Sequence, residues 1–169
     1  TSGLLLLAKS SSDANELSVL FKTQQIQKYY LAISDKKPKK KQGLIKGGME
    51  KARRSMWKLT TKTENLAVTQ FFSYPLTDGK RLFVIKPKTG KTHQIRVALK
   101  SIGSAICGDP LYYSKEIDSA QYERGYLHAY QLNFSLQGQV FNFNCLPEKG
   151  ALFLDETFFN QLNILGNLS

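Results

Sequence analysis

The sequence predicts an α+β domain: a mixed, largely antiparallel sheet with a few flanking helices. Three observations carry that expectation. Strand-like segments outnumber helical ones. The two kinds do not alternate regularly, as a doubly wound βαβ sheet would require. Two pairs of strands are joined by turn sequences, one through Leu76-Thr77-Asp78-Gly79 and one through Gln137-Gly138. A chain of 169 residues is long enough for one core, so residues 1–169 are expected to form a single domain.

The elements follow in order. Residues 3–8, GLLLLA, form an apolar run, and residues 3–9 read as a buried strand. The run lacks the basic segment and cleavage site of a secretory signal, and Lys9 ends it early. Residues 13–22 read as a helix, with Asp13 as cap, Glu16 three positions on, and Leu17, Leu20 and Phe21 as an apolar stripe. Residues 28–33, KYYLAI, are aromatic and β-branched enough for a strand. The lysine tract around Pro38 resists pairing and reads as a loop. Short strands are expected over 43–48 and 53–60, then a hairpin over 66–74 and 80–86. Thr92 is placed to cap a helix running to about Ser101, with Gly103 just past its end. A second hairpin covers 127–136 and 139–145, and Asp155 can cap a last helix to about Leu162.

Charge is distributed unevenly. The net charge is +11, yet residues 36–62 alone hold eleven Lys or Arg against one acid, Glu50. Residues 80–100 add seven basic residues and no acid, whereas residues 101–169 carry three basic and seven acidic residues. Such asymmetry is the footprint of a polyanion partner. The tract at 36–41 reads equally well as a solvated loop. No apolar run is long enough to cross a bilayer, and neither an amphipathic membrane face nor a lipidation signal is visible. Cys107 and Cys145 have no metal or disulfide spacing, so a reducing, cytoplasmic location is the default expectation.

The segment Thr89 to Asp109 concentrates ionisable side chains among apolar ones. Its TGKT is not a phosphate-binding P-loop, because the glycine needed five positions before Gly90 is Ile85. On a helix, His93 and Arg96 share one face and Ile95 and Leu99 another. An Arg on a partly buried face needs a carboxylate or phosphate, and by itself Arg96 reads as half of a structural salt bridge, for instance to Asp109. His93 and His128 lack metal-ligand spacing, so no zinc site is expected. In Lys28-Tyr29-Tyr30-Leu31-Ala32, alternate residues face one side. A Tyr beside a Lys suits a nucleobase and its phosphate, or else simply fills the core.

These blocks together resemble the RluA-type RNA pseudouridine synthases. The resemblance rests on Lys28, Tyr30 and Ala32; on Thr89 through Val97; on Gly103, Ile106, Gly108, Asp109 and Tyr112; and on Leu127, His128, Ala129, Leu132 and Phe134. Thr1-Ser2-Gly3-Leu4 resembles the end of the family's R-L-D-x-x-T-S-G motif. Four ordered blocks spanning residues 1–134 make the match specific. Departures fall at Ala98, Ala105, Tyr113 and Ser135-Leu136, and they touch packing and turns more than chemistry.

The resemblance implies a pseudouridine synthase catalytic domain, and a first residue other than Met leads us to expect that it is cut from, or ordered only within, a longer protein. Its nucleophilic Asp would lie three residues before Thr1. It implies isomerisation of uridine in ribosomal or transfer RNA without cofactor or metal. Tyr30 would stack on the flipped base and take part in proton transfer, and Arg96 would pair with the nucleophile. Ile95 and Leu127 would wall the pocket. Lys28, Arg53, Arg54, Lys86, Lys88, Lys91, Thr92 and His93 would contact the RNA backbone. The protein is expected to act as a monomer. A non-catalytic RNA-binding module with the same fold is the alternative.

Overall fold

Eight strands and three helices occupy the described part of the chain, which in this computed structural model is residues 1–113, 121–166 and 168. They run β1 (Ser2–Gly3), α1 (Ser11–Lys22), β2 (Gln27–Ser34), β3 (Gln42–Lys51), β4 (Trp57–Thr60), β5 (Leu66–Pro75), β6 (Arg81–Pro87), α2 (Gln94–Ser101), β7 (Leu127–Leu136), β8 (Gln139–Asn144) and α3 (Glu156–Leu165). One sheet takes all eight strands in the order β1-β7-β2-β6-β5-β3-β4, with β8 also on β7. Only β1 pairs in parallel; the other described pairings are antiparallel. The expected α+β class, with a mixed and largely antiparallel sheet, is the observed one.

The centre of the sheet is driest. Leu31, Ala32 and Ile33 of β2 and Leu82, Phe83 and Ile85 of β6 are completely buried. Ile95 and Leu99 of α2 and Phe158 and Leu162 of α3 pack into the same core. A second cluster joins Leu17 and Leu20 of α1 to Ile26 and Phe134. A third sets Val97, on another face of α2, against Met49, Ala67 and Tyr112. Helix α2 is thus held from two directions, which fixes the side chains it presents to solvent.

Both hairpins form where the turn sequences place them. Gln137 and Gly138 have φ of 50° and 77°, the paired positive values that a two-residue hairpin turn needs. The Gln137 amide also reaches Glu16 of α1. Asp155 caps α3 as expected, accepting from the Thr157 N–H at 2.9 Å.

Four local expectations are corrected. The strand at 3–9 shrinks to Ser2–Gly3, and Leu5 and Leu7 are exposed. The reason is competition for one edge: β8 pairs with Gln131 to Leu136 of β7, leaving β1 only His128 and Ala129. Helix α1 starts earlier, because Ser10 rather than Asp13 is its cap and accepts the Asp13 N–H. Residues 53–55 turn rather than extend, with Arg54 and Ser55 at positive φ, so β4 begins at Trp57. Thr92 does not cap α2. His93 stands at the cap in a left-handed conformation, φ 57°, with no side-chain cap bond.

Candidate active site

The approach to α2 is organised by one buried glutamine. Gln94 Oε1 accepts from the Thr89 hydroxyl at 2.8 Å and the Lys91 N–H at 2.9 Å. Its Nε2 donates to the Val68 carbonyl and the Thr69 hydroxyl of β5. All its polar capacity serves to tie the TGK turn to the sheet. With the turn so held, the chain enters the helix through left-handed His93, and Arg96 comes out one turn further on.

Arg96 grips Asp109 side-on. Nε donates to Oδ2 and Nη2 to Oδ1, both at 2.7 Å, in the bidentate geometry that suits guanidinium and carboxylate. Asp109 is 3% exposed, and its Oδ1 also accepts the N–H groups of Leu111 and Tyr112. Burial alone would raise its pKa. The Arg96 and backbone hydrogen bonds outweigh that and hold the carboxyl below its ordinary range. The hydrogen bond to Asp109 correspondingly raises the Arg96 pKa. Gly108 makes this placement possible: its φ is +70°, and a Cβ there would sit 1.9 Å from the Arg124 carbonyl oxygen.

Tyr112 backs the arginine. The guanidinium lies 4.9 Å from its ring centroid. The Tyr112 hydroxyl accepts the Trp57 N–H at 2.8 Å and lies 3.0 Å from His93 Nδ1. That oxygen accepts from Trp57 and can also donate its own proton to Nδ1 when the imidazole is neutral. Burial, reinforced by the Arg96 charge, pushes the His93 pKa down, which favours that neutral form.

On the sheet side, the β2–β7 pairing shifts register between Tyr29 and Tyr30. Such a bulge re-aims side chains. Tyr29 is buried in the core, and Tyr30 lines a cavity of about 270 Å³ together with Lys28, Lys91, His93, Ile95, Arg96 and Leu127. Burial raises the Tyr30 pKa, so its phenol keeps its proton at neutral pH. Burial also lowers the Lys28 pKa. Among the described residues, no carboxylate lines this cavity.

The start of the chain meets the same place. Thr1 lines the cavity beside Arg96. Ser2 anchors it: Arg124 Nη2 donates to the Ser2 Oγ at 2.6 Å, and that oxygen lies 2.8 Å from His128 Nδ1. His128 Nε2 is 2.7 Å from the Cys145 carbonyl, which can only accept. Nε2 therefore carries the proton, and Nδ1 accepts from Ser2. Burial first, then the Arg124 charge, push this imidazole below its ordinary pKa, which favours the neutral form in which Ser2 donates to Nδ1.

Seven of the sequence-predicted site residues therefore converge on one cavity: Lys28, Tyr30, Lys91, His93, Ile95, Arg96 and Leu127. Lys88 lines a neighbouring groove instead. Lys86 turns to the other face of β6, where its ammonium meets the Tyr29 hydroxyl and ring, because side chains alternate along a strand. Thr92 is exposed and lines none of the described cavities, and Arg53 and Arg54 sit at the exposed β3–β4 turn. Gln94, Ser2, Arg124, Tyr112 and His128 carry no role that sequence alone predicts. Four of them stand in the motif blocks, but only folding shows what they bond. Among the described residues, no group of three His, Cys, Asp or Glu side chains is placed to hold a metal ion.

The chain resembles known proteins along most of its length. The family described as RNA pseudouridylate synthase matches residues 1–101. A Haemophilus influenzae protein named an uncharacterized RNA pseudouridine synthase is 48% identical over 164 residues, covering 97% of this chain and 72% of that one. Ribosomal large subunit pseudouridine synthase C of Rickettsia bellii is 35% identical over 145 residues, covering 83% of this chain and 47% of its own length. Among solved structures, human RNA pseudouridylate synthase domain containing 1 superposes with a TM-score of 0.72 at 18% identity, covering 95% of this chain and 74% of that one. On the strength of the family match and the Haemophilus relative, this chain belongs to the RNA pseudouridylate synthase family.

Proposed function

We propose that the 270 Å³ cavity receives a uridine flipped out of RNA and that the protein isomerises it to pseudouridine. The convergence of Tyr30, Arg96, Ile95, Leu127 and Thr1 on one lysine-rimmed cavity carries this reading. A base must leave its stack to be remade, and it then needs an aromatic platform and an apolar wall. Tyr30 is the platform; Ile95 and Leu127 are the wall.

The nucleophile in this reading is an Asp three residues before Thr1. Three extended residues reach about 10 Å, enough to bring a carboxylate from the Thr1 side of the cavity to Arg96. Arg96 is already held by Asp109 through Nε and Nη2, so it offers Nη1 and its fixed charge to keep the nucleophile ionised. The carboxylate bonds to the nucleotide as the C1′–N1 bond breaks; the uracil then turns, C5 bonds to C1′, and the carboxylate leaves unchanged. C5 loses one proton and N1 gains one, so the change is an isomerisation. Tyr30, protonated at neutral pH, can hold or deliver a proton at the base.

The basic residues position the RNA. Lys28 and Lys91 at the cavity rim and Lys88 in the adjoining groove meet phosphates close to the target, and the exposed Arg53 and Arg54 meet more distant ones. Large-subunit ribosomal RNA is the proposed substrate, supported by the name of the Rickettsia relative. The protein is proposed to act as a monomer in the cytoplasm, where Cys107 and Cys145 stay free thiols.

The test is incubation of full-length protein with transcripts of large-subunit ribosomal RNA and of transfer RNA, followed by nucleoside analysis. Pseudouridine in the ribosomal transcript supports the reading, and pseudouridine only in transfer RNA moves the substrate. RNA binding without product in either would leave a non-catalytic RNA-binding module.

A further inference from the structure

Beside the uridine cavity lies a larger one of about 590 Å³, within the size range of small-molecule sites. The two share Lys28, Tyr30, Thr89, Gly90 and Lys91, so they meet along a common wall. The far side of the groove comes from the end of α1, through Phe21, Lys22 and Gln24. Phe21 leaves the apolar stripe of its helix: Leu17 and Leu20 are buried, whereas Phe21 is 44% exposed. Among the described residues the groove has lysines at 22, 28, 88 and 91 and no carboxylate.

Lys28 stands on the shared wall, with its ammonium 5.4 Å from the Phe21 ring centroid. It is half-buried and has no salt-bridge partner among the described residues. A cation in that state favours an anion that arrives with the ligand. The groove therefore combines an exposed aromatic face, a ring of ammonium groups, and an opening into the place proposed for the flipped uridine. One chemistry suits all three: another nucleotide of the same strand.

We infer that the groove is a subsite for the nucleotide next to the target uridine, with Phe21 stacking on its base and Lys28 contacting the phosphodiester between the two. This rests on the proposed isomerase reading for the identity of the first nucleotide. It makes α1 a strand-binding element and not a sequence reader: Phe21 accepts any base, while Lys22 and Lys88 hold the strand beyond it.

The probe is a fluorescein-labelled RNA heptamer with a central uridine, compared with heptamers carrying an abasic ribose on one or the other side of that uridine. Binding to full-length protein is read by fluorescence anisotropy at low salt. The wild type is expected to bind one abasic heptamer about tenfold more weakly than the intact one, the scale of a lost base–aromatic stack. Phe21→Ala is expected to bind both alike, and Phe21→Tyr to restore the difference. Phe21 lies outside the described core clusters, so the alanine variant should melt like the wild type. Equal binding of all heptamers by the wild type, or an undiminished difference in Phe21→Ala, would overturn the subsite. Failure of the isomerase reading is separate: the heptamer difference would persist while no pseudouridine formed.

Discussion

Arg96 and Asp109 are joined by two parallel 2.7 Å hydrogen bonds, and the carboxylate is the more deeply committed partner. Asp109 is 3% exposed and also holds the Leu111 and Tyr112 N–H groups, whereas the Arg96 side chain is 20% exposed. The two ends of the pair should therefore respond differently to mutation. Asp109→Ala strands a guanidinium and two backbone donors. It should cost about 3 kcal/mol, the low end for breaking a buried pair, because Arg96 retains some solvent. Arg96→Leu leaves Asp109 its backbone donors and should cost less. Urea unfolding of both variants checks the order; a larger loss for Arg96→Leu would contradict it.

Activity should follow the opposite order. Arg96→Leu removes the charge proposed to face the nucleophile and should abolish turnover in the full-length protein while circular dichroism stays close to wild type. Retained pseudouridine formation would remove Arg96 from the mechanism.

Gln94 makes four hydrogen bonds that fix the turn before α2. Gln94→Ala leaves buried donors and acceptors without partners and should destabilise by about 1–3 kcal/mol. Hydrogen exchange should quicken selectively at Lys91, whose N–H bonds to that side chain. Uniform quickening across the sheet would point to global destabilisation instead.

Acid should weaken the fold in two separate windows. His93 faces Tyr112, Arg96 and Asp109; His128 faces Ser2, Arg124, the Cys145 carbonyl and the Phe153 ring. Both folded pKa values lie below the ordinary 6.5. As pH falls through about 6.5 the unfolded chain takes up protons that the folded one does not, so stability falls. Asp109 acts lower down. Its folded pKa is depressed, so its contribution is complete above about pH 4 and is lost as pH falls through the folded value. Urea midpoints at pH 7.5 and 5.5 should differ, and His128→Gln should reduce that difference.

Lys28→Gln and Lys91→Gln should each flatten the salt dependence of RNA binding, by about 0.7 in the log–log slope for a single strand. Lys86→Gln should leave the slope unchanged, because Lys86 is held on the other face by Tyr29. A matching change for Lys86 would mean that RNA reaches both faces of β6.

Local signals determined much of this protein. Apolar periodicity and turn residues placed the interior strands, both hairpins and α3, because each depends on neighbours within a few residues. The ordered motif blocks brought Tyr30 and Arg96 to notice before any geometry. Long-range competition decided the rest. Residues 3–9 are apolar enough for a strand, yet β8 already occupies the edge they would need. Thr92 has a capping side chain, yet Gln94 and the turn it pins move the start of the helix beyond it. Lys86 and Lys88 look alike in sequence, and only the pleat of β6 and its end at Pro87 send one to Tyr29 and the other to the groove. The sequence by itself singled out Tyr30 and Arg96 as candidates for the site. The tertiary structure decided which carboxylate holds Arg96, since residues 13 positions apart meet only once helix α2 and the Gly108 turn have packed.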